Sequence, residues 1–196
     1  MFRVPLTIAF IFLIAFGGAT ASAILALRAT VGFGAIEIGP WTAWPEAQTE
    51  AADPYAKAHR ARTGVLLLGG AEGLRFMAGS DDEGHALEAR CDYTLSGVTP
   101  PARFWTLHAI DETGALLLAG DGLPSTYHSQ NILKNEDGTF VITASEKPKT
   151  GNWLATGNKA VPYQLVLTLF DTPTAGSSRL VDLQMPQIKR GTCHDG

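Results

Sequence analysis

The stretch Tyr163-Gln-Leu-Val-Leu-Thr-Leu-Phe170 places tyrosine or leucine at every second position. A period of two is typical of a β-strand with one buried face. The same alternation runs from Leu87 to Leu95 and from Phe140 to Ala144, and turn-forming clusters such as Asp111-Glu-Thr-Gly114 separate these stretches. The pattern therefore predicts several short antiparallel strands joined by tight turns.

One strand and one helix stand apart from this pattern. The segment from Arg103 to Ile110 is apolar on both alternating sets of positions, which predicts a central strand covered on both faces. A short helix is predicted to begin at Asp53, a good N-cap followed by Pro54, and to end before Gly64. The predicted fold class is mainly β: an antiparallel β-sandwich or jelly roll over residues 53–196 with one short helix at its start.

The amino-terminal segment is strongly apolar. The 24 residues from Val4 to Leu27 carry no charge and would span about 36 Å as a helix. A transmembrane anchor over residues 1–28 is one interpretation, and a secretory signal peptide cleaved near Ala21 or Ala23 is the other. Apolar character resumes after those small residues, which favours retention. Residues 29–52 have no sustained period and are interpreted as an extended lead-in.

Both interpretations export the domain, and the free amino terminus favours a single-pass protein of the inner membrane with the domain in the periplasm. Removing Arg3 and Arg28 from the 15 basic residues leaves 13 against 19 acidic ones. This mildly acidic balance argues against nucleic acid as a partner. The expected partners are the lipid bilayer, through residues 4–27, and a membrane or envelope protein.

Small residues in the apolar segment recur every four positions, at Ala15, Ala19 and Ala23. A second series follows the same spacing, at Gly18, Ser22 and Ala26. Such spacing lets another transmembrane helix approach closely, although alanine and glycine are common in these segments in any case.

Several short motifs carry a family resemblance. Asp53-Pro-Tyr55, Cys91-x-Tyr93, Gly151-Asn-Trp-Leu154 and Leu167-Thr-Leu-Phe-Asp171 occur together with Pro101-Ala-Arg-Phe-Trp-Thr-Leu107. In combination they resemble the bacterial family called domain of unknown function 1214. The chain is most similar to a short subgroup with an amino-terminal hydrophobic helix and a tail cysteine, without the domain of unknown function 1254 found in larger relatives. The resemblance implies a β-sandwich in the cell envelope and no particular chemistry.

The chain has two cysteines, and the resemblance bears on their pairing. Cys91 shares the inward face of its predicted strand, and Cys193 lies in the tail, as in the subgroup. A disulfide would hold the tail in place and suits an oxidising compartment. The alternative is two unrelated thiols, one buried and one exposed.

A candidate ligand site combines Arg103, Trp105, Asn152 and Trp153. A planar cation, two indoles and an amide suit a carbohydrate or a small aromatic compound in a cleft. The alternative is that both tryptophans are core residues and that Asn152 forms the corner of a turn.

The candidates for catalysis or metal binding include five histidines, at positions 59, 85, 108, 128 and 194. The sequence contains no nucleophile elbow, no His-Glu-x-x-His and no Cys-x-x-Cys, so we predict no catalytic residue, no metal and no cofactor. The predicted function is a membrane-anchored periplasmic accessory or interaction protein. The alternatives are a carbohydrate- or aromatic-binding module and a hydrolase-like enzyme with a scattered active site.

Overall fold

The structure is a computed structural model that describes residues 3–29, 35–47, 49–50, 52–63, 68–157, 161–176 and 183–194. Its first helix, α1 (Arg3–Ala29), is long and apolar enough from Arg3 to Leu27 to cross a membrane. Those 25 residues reach about 37 Å, and their side chains are not packed into the domain core. A signal sequence meets the same criteria of length and composition.

The second helix, α2 (Pro54–Thr63), begins where the sequence predicts it. The Asp53 carboxylate accepts a hydrogen bond from the backbone N–H of Ala56 at 3.0 Å, which is the interaction of an N-cap. Pro54 occupies the first helical position, where no backbone donor is needed. Gly64, the predicted end of this helix, lies outside the described residues.

The described residues form ten strands in two sheets. In chain order these are β1 (Ile36–Ile38), β2 (Trp41–Ala43), β3 (Gly73–Ala78), β4 (Cys91–Gly97), β5 (Phe104–Asp111), β6 (Thr126–His128), β7 (Phe140–Ser145), β8 (Asn152–Ala155), β9 (Tyr163–Phe170) and β10 (Gln187–Cys193). One sheet has the order β1-β2-β3-β9-β5-β6 and the other β10-β4-β7-β8. Among these pairings β7 with β8 is parallel and the rest are antiparallel. The predicted mainly β, antiparallel fold is confirmed.

The core lies where the alternating apolar faces of both sheets meet, in a sandwich-like arrangement. Leu165 and Leu167 of β9 are fully or almost fully buried in the same cluster as Leu95 of β4. The rings of Tyr93 and Tyr163 meet edge to face, with centroids 6.1 Å apart. This burial on both sheets explains why the period of two in the sequence is the dominant signal of the fold.

Two expectations from the sequence differ from the structure. Residues 29–52, interpreted as an extended lead-in, include β1 and β2, which pair with each other and extend the first sheet at β3. Each strand has three residues, too few to show a period. Gly39, with a φ of 56°, permits the turn between them.

The strand covered on both faces is β9 rather than β5. On β5, Phe104, Thr106 and His108 are only partly buried, whereas Val166 and Thr168 of β9 are 1% and 3% exposed on the corresponding face. The reason is position, because β9 lies between β3 and β5, while β5 is next to the edge strand β6. The prediction that Arg103–Ile110 is a doubly covered central strand is therefore wrong.

Cys91 and Cys193 lie within bonding distance and form a disulfide, with an S–S distance of 2.00 Å. The two residues are direct neighbours across β4 and β10. The predicted pairing is confirmed, and the bond joins the end of the chain to the second sheet.

A close backbone contact fixes β3 against β9. Gly73 of β3 pairs with Phe170, and a Cβ atom at position 73 would lie 2.1 Å from the backbone oxygen of Leu169. Real Cβ atoms do not approach oxygen so closely, so only glycine fits at this position.

Candidate functional site

Trp105, one of the predicted ligand residues, lies on the core face of β5. Its side chain is 3% exposed, and its ring packs near that of Phe140 with centroids 5.6 Å apart. An indole enclosed in this way offers no free face for a sugar or an aromatic ligand to stack on.

Asn152 and Trp153 are consecutive on β8 and are both buried. The Asn152 amide accepts a hydrogen bond from Leu133 N–H and donates to the carbonyls of Leu133 and Val141, each at 2.8 Å. The indole N–H of Trp153 donates to the Ser145 carbonyl at 3.0 Å. The hydrogen bonds of Asn152 hold the segment around Leu133 beside β8.

Arg103 stands apart from the other three predicted residues. Its side chain is 83% exposed and faces the Asp171 carboxylate at 3.5 Å. Trp105 belongs to the core cluster, whereas Trp153 is paired with Thr143, between the core residues Ile142 and Ala144. Trp153 therefore lies on the side of the second sheet that points away from the core, and the four residues do not converge on one open cleft.

The acidic turns that contain Asp81 and Asp137 are stabilised by hydrogen bonds from nearby backbone N–H groups to these two side chains. The buried Asp81 carboxylate accepts hydrogen bonds from the backbone N–H groups of Glu83 and His85, and Asp137 does the same for Thr139. In the described part of the chain, no group of three or more histidine, cysteine, aspartate or glutamate side chains is arranged to hold a metal ion. The side chain of His59 lies outside that part.

A different group of side chains comes together on the face of the six-stranded sheet that points away from the core. Arg75 of β3 pairs with Thr168 of β9, which pairs in turn with Thr106 of β5. His108 lies in the neighbouring row, paired with Val166. Because paired residues share a face, the guanidinium, the imidazole and the two hydroxyl groups lie on one surface.

Trp44 joins this surface from the end of β2. Ala43 pairs with Phe76, so continuing the antiparallel register by one residue places Trp44 beside Arg75. Both side chains are partly buried, and the indole Nε1 of Trp44 and the Nε of Arg75 are shielded from solvent. Neither nitrogen finds a hydrogen-bond acceptor within the described residues. We call Trp44, Arg75, Thr106, His108 and Thr168 together the Arg75 site.

The charge of the Arg75 site follows from its surroundings. Burial lowers the pKa of the His108 imidazole, and the positive charge of Arg75 lowers that pKa further. His108 is therefore neutral at neutral pH. Burial also lowers the pKa of Arg75, but a guanidinium stays protonated in proteins. Among the strands, the other ionisable groups on this face are Glu37 of β1, two strands from β3, and His128 of β6, three strands from β3.

Aromatic rings border one end of the Arg75 site. The ring of Phe104 lies 5.5 Å from that of His128 and 6.0 Å from that of Phe170. The site thus combines one positive charge, several hydrogen-bond donors and an apolar border. Chemically, this arrangement is suited to binding an anion that carries an apolar group.

Sequence reasoning missed Arg75 and Trp44. Leu74, Phe76 and Ala78 alternate within β3, but Met77 between them is also apolar, so the short pattern is weak. The informative signal is an arginine at an outward position between apolar residues. Its neighbours in the structure lie about 30 and 90 residues away along the chain, at Trp44 and Thr168.

A model of the family described as "Protein of unknown function (DUF1214)" matches residues 72–174, slightly more than half of the chain. The chain belongs to the DUF1214 family. The matched region contains Arg75, Thr106, His108 and Thr168, so most of the Arg75 site lies within the DUF1214 domain. No curated protein matches the chain.

Two solved structures are similar to this DUF1214 protein. The VPA0106 protein from Vibrio parahaemolyticus matches with a TM-score of 0.58 and 19% identity, over 75% of this chain and 37% of that one. An uncharacterized protein from Burkholderia cenocepacia matches with a TM-score of 0.42 and 17% identity, over 76% of this chain and 46% of that one. The chain thus spans less than half of either protein, and the first likeness shows a shared fold alone.

Proposed function

We propose that this DUF1214 protein is an accessory protein held by α1 at the outer face of the cytoplasmic membrane, where its β domain acts by binding. The observation that carries the proposal is α1, whose apolar span from Arg3 to Leu27 is long enough for a bilayer and does not pack into the core. The disulfide between Cys91 and Cys193 supports an oxidising compartment such as the periplasm. In this proposal the chain acts without a DUF1254 partner domain.

Retention of α1 can be separated from cleavage with one substitution. Ala21 belongs to both candidate cleavage sites, Ala19-Thr-Ala21 and Ala21-Ser-Ala23. Ala21→Leu therefore blocks cleavage at either site while keeping the segment apolar. We expect the wild type and this variant each to have the mass of its own uncleaved chain, differing only by the substitution, and to stay in the membrane fraction after alkaline washing. A wild-type chain that begins at Ser22 or Ile24 would contradict the tether.

A membrane partner is proposed to contact the small-residue face of α1. Ala19→Leu places a large side chain on that face, and Ala21→Leu, which lies on the opposite side of the helix, is the matched control. We expect a complex that survives mild detergent extraction in the wild type and the control but not in Ala19→Leu. Recovery of the wild-type protein alone would count against an interaction through the helix.

Two alternatives stay predictions. Carbohydrate or aromatic binding through Arg103, Trp105, Asn152 and Trp153 would require the two buried indoles to become accessible. A panel of envelope glycans should therefore change the tryptophan emission only if Trp105 and Trp153 become exposed. A scattered hydrolase site would require His108 or His128. Equal background activity in the wild type, His108→Ala and His128→Ala would contradict it.

A further inference from the structure

The surface around Arg75 contains a charged side chain that no described residue neutralises. In the described part of the chain, the guanidinium of Arg75 makes no hydrogen bond and no ion pair, although Arg75 is only partly exposed. Arg103, by contrast, is highly exposed and still faces a carboxylate. Buried N–H groups are nearly always paired in native proteins, so a shielded guanidinium Nε without an acceptor points to an acceptor from outside the chain.

A second donor of the same kind lies beside Arg75. The indole N–H of Trp44 can only donate a hydrogen bond, and it too is shielded and without an acceptor in the described residues. Ala43, the last residue of β2, pairs with Phe76, and continuing that antiparallel register by one residue puts Trp44 opposite Arg75. Two neighbouring donors that both lack acceptors favour a ligand rich in acceptors, which is the property of an oxyanion.

The charge and the shape of this surface narrow the class of anion. With His108 neutral, Arg75 supplies one positive charge, which one carboxylate balances and a phosphate dianion exceeds. The planar guanidinium also matches the two oxygens of a carboxylate. Next to the charge lies the partly exposed side chain of Met77, which offers an apolar contact to the body of a ligand.

We infer that the Arg75 site binds a small organic monoanion, with its carboxylate held by the Arg75 guanidinium and the Trp44 indole N–H and its apolar body against Met77. His108, partly exposed on the same face, is placed to add a hydrogen bond at the edge of the ligand. The inference deepens the proposed binding role and does not depend on the membrane tether.

Isothermal titration calorimetry on the full chain in a mild nonionic detergent tests this inference. The probe is sodium butyrate, its neutral isostere is butyramide, and inorganic phosphate at pH 7.5 represents the doubly charged oxyanions. We expect butyrate to bind more tightly than phosphate and butyramide not to bind. No heat with butyrate, or equal affinity for butyrate and butyramide, would overturn the inference, and tighter binding of phosphate would overturn the ligand class.

Three variants test whether butyrate binds at Arg75 and Trp44. Arg75→Gln should weaken butyrate binding at least tenfold because a charge-assisted hydrogen bond is lost, and Trp44→Phe, which removes the indole N–H donor and keeps a smaller aromatic ring, about threefold to tenfold. Arg90→Gln is the matched control, since it removes an exposed arginine that faces Glu88 just before β4, in the other sheet, and should leave the affinity unchanged. Circular dichroism and the melting temperature report whether each variant folds.

If Arg75→Gln does not fold, Trp44→Phe decides, because it keeps an aromatic side chain at this partly buried position. Unchanged butyrate affinity in a folded Trp44→Phe or a folded Arg75→Gln would place the ligand elsewhere and overturn the assignment. These results are independent of membrane fractionation, so failure of the ligand site and failure of the tether can be told apart.

Discussion

Asn152 gives the sharpest test of whether the residues expected to bind a ligand are structural instead. Its side chain is 6% exposed and makes three hydrogen bonds to backbone groups of Leu133 and Val141. Asn152→Ala would remove all three and leave one N–H and two carbonyls without their partners. At about 1 kcal/mol for each hydrogen bond, we expect the free energy of unfolding to fall by about 3 kcal/mol.

The assay is equilibrium unfolding in urea of the full chain in a nonionic detergent, followed by tryptophan fluorescence. Asn152→Asp keeps the accepting oxygen but presents a second oxygen to two carbonyls, so it should destabilise at least as much as Asn152→Ala. The matched control is Asn135→Ala in an exposed turn, where the amide donates to the Thr139 hydroxyl. We expect this control to change stability by less than about 0.5 kcal/mol.

A loss below about 1 kcal/mol in Asn152→Ala would refute this reasoning, because it would mean that the three hydrogen bonds do not hold the Leu133 segment in solution. A loss equal to that of Asn135→Ala would have the same meaning. A ligand-binding role for Asn152 would show instead as weakened binding at unchanged stability.

Three further changes test other parts of the structure. Replacing Cys91 and Cys193 by alanine opens a loop closed over 102 residues and should cost about 4.7 kcal/mol of unfolding free energy in the chain-entropy model, measured by urea unfolding. Gly73→Ala forces a Cβ against a backbone carbonyl of β9 and should cost about 2–3 kcal/mol, whereas Gly79→Ala, which meets only a flexible side chain, should cost less than about 1 kcal/mol. Because the folded pKa of His108 lies below its unfolded value, the unfolded chain takes up a proton first as the pH falls, so stability should decline below about pH 6.5. Unfolding of His108→Gln, measured across the same pH range, should show a shallower decline, and an identical profile would contradict the assigned pKa shift.

The long alternating segments could be predicted from the sequence because local pattern and burial agree there. The strand predicted over Tyr163–Phe170 coincides with β9, and the cap at Asp53 starts α2. The sequence pattern does not predict the strands β3, β6, β8 and β10. β6 and β8 have three and four residues, β3 has apolar residues on both faces, and β10 shows little alternation.

The candidate site could not be predicted because it depends on pairing between distant segments. Arg75, Thr168 and His108 lie on β3, β9 and β5, Trp44 directly follows β2, and only the order β2-β3-β9-β5 brings these parts of the chain together. No spacing in the sequence encodes that order. Three of the four residues predicted to bind a ligand, Trp105, Asn152 and Trp153, are aromatic or amide side chains, and the same properties suit them to burial, whereas Arg103 is exposed.

The segment around Leu133, which Asn152 holds beside β8, affects how copies of the protein contact one another at high concentration. β8 is the last strand of its sheet, and an uncovered strand at such a position can pair with a strand of another molecule. Here Ala155 N–H donates to the Pro124 carbonyl at 2.8 Å, and the Leu133 segment lies along the start of the same strand. Part of the edge of β8 is therefore already occupied, which hinders one route by which two copies of the protein would aggregate.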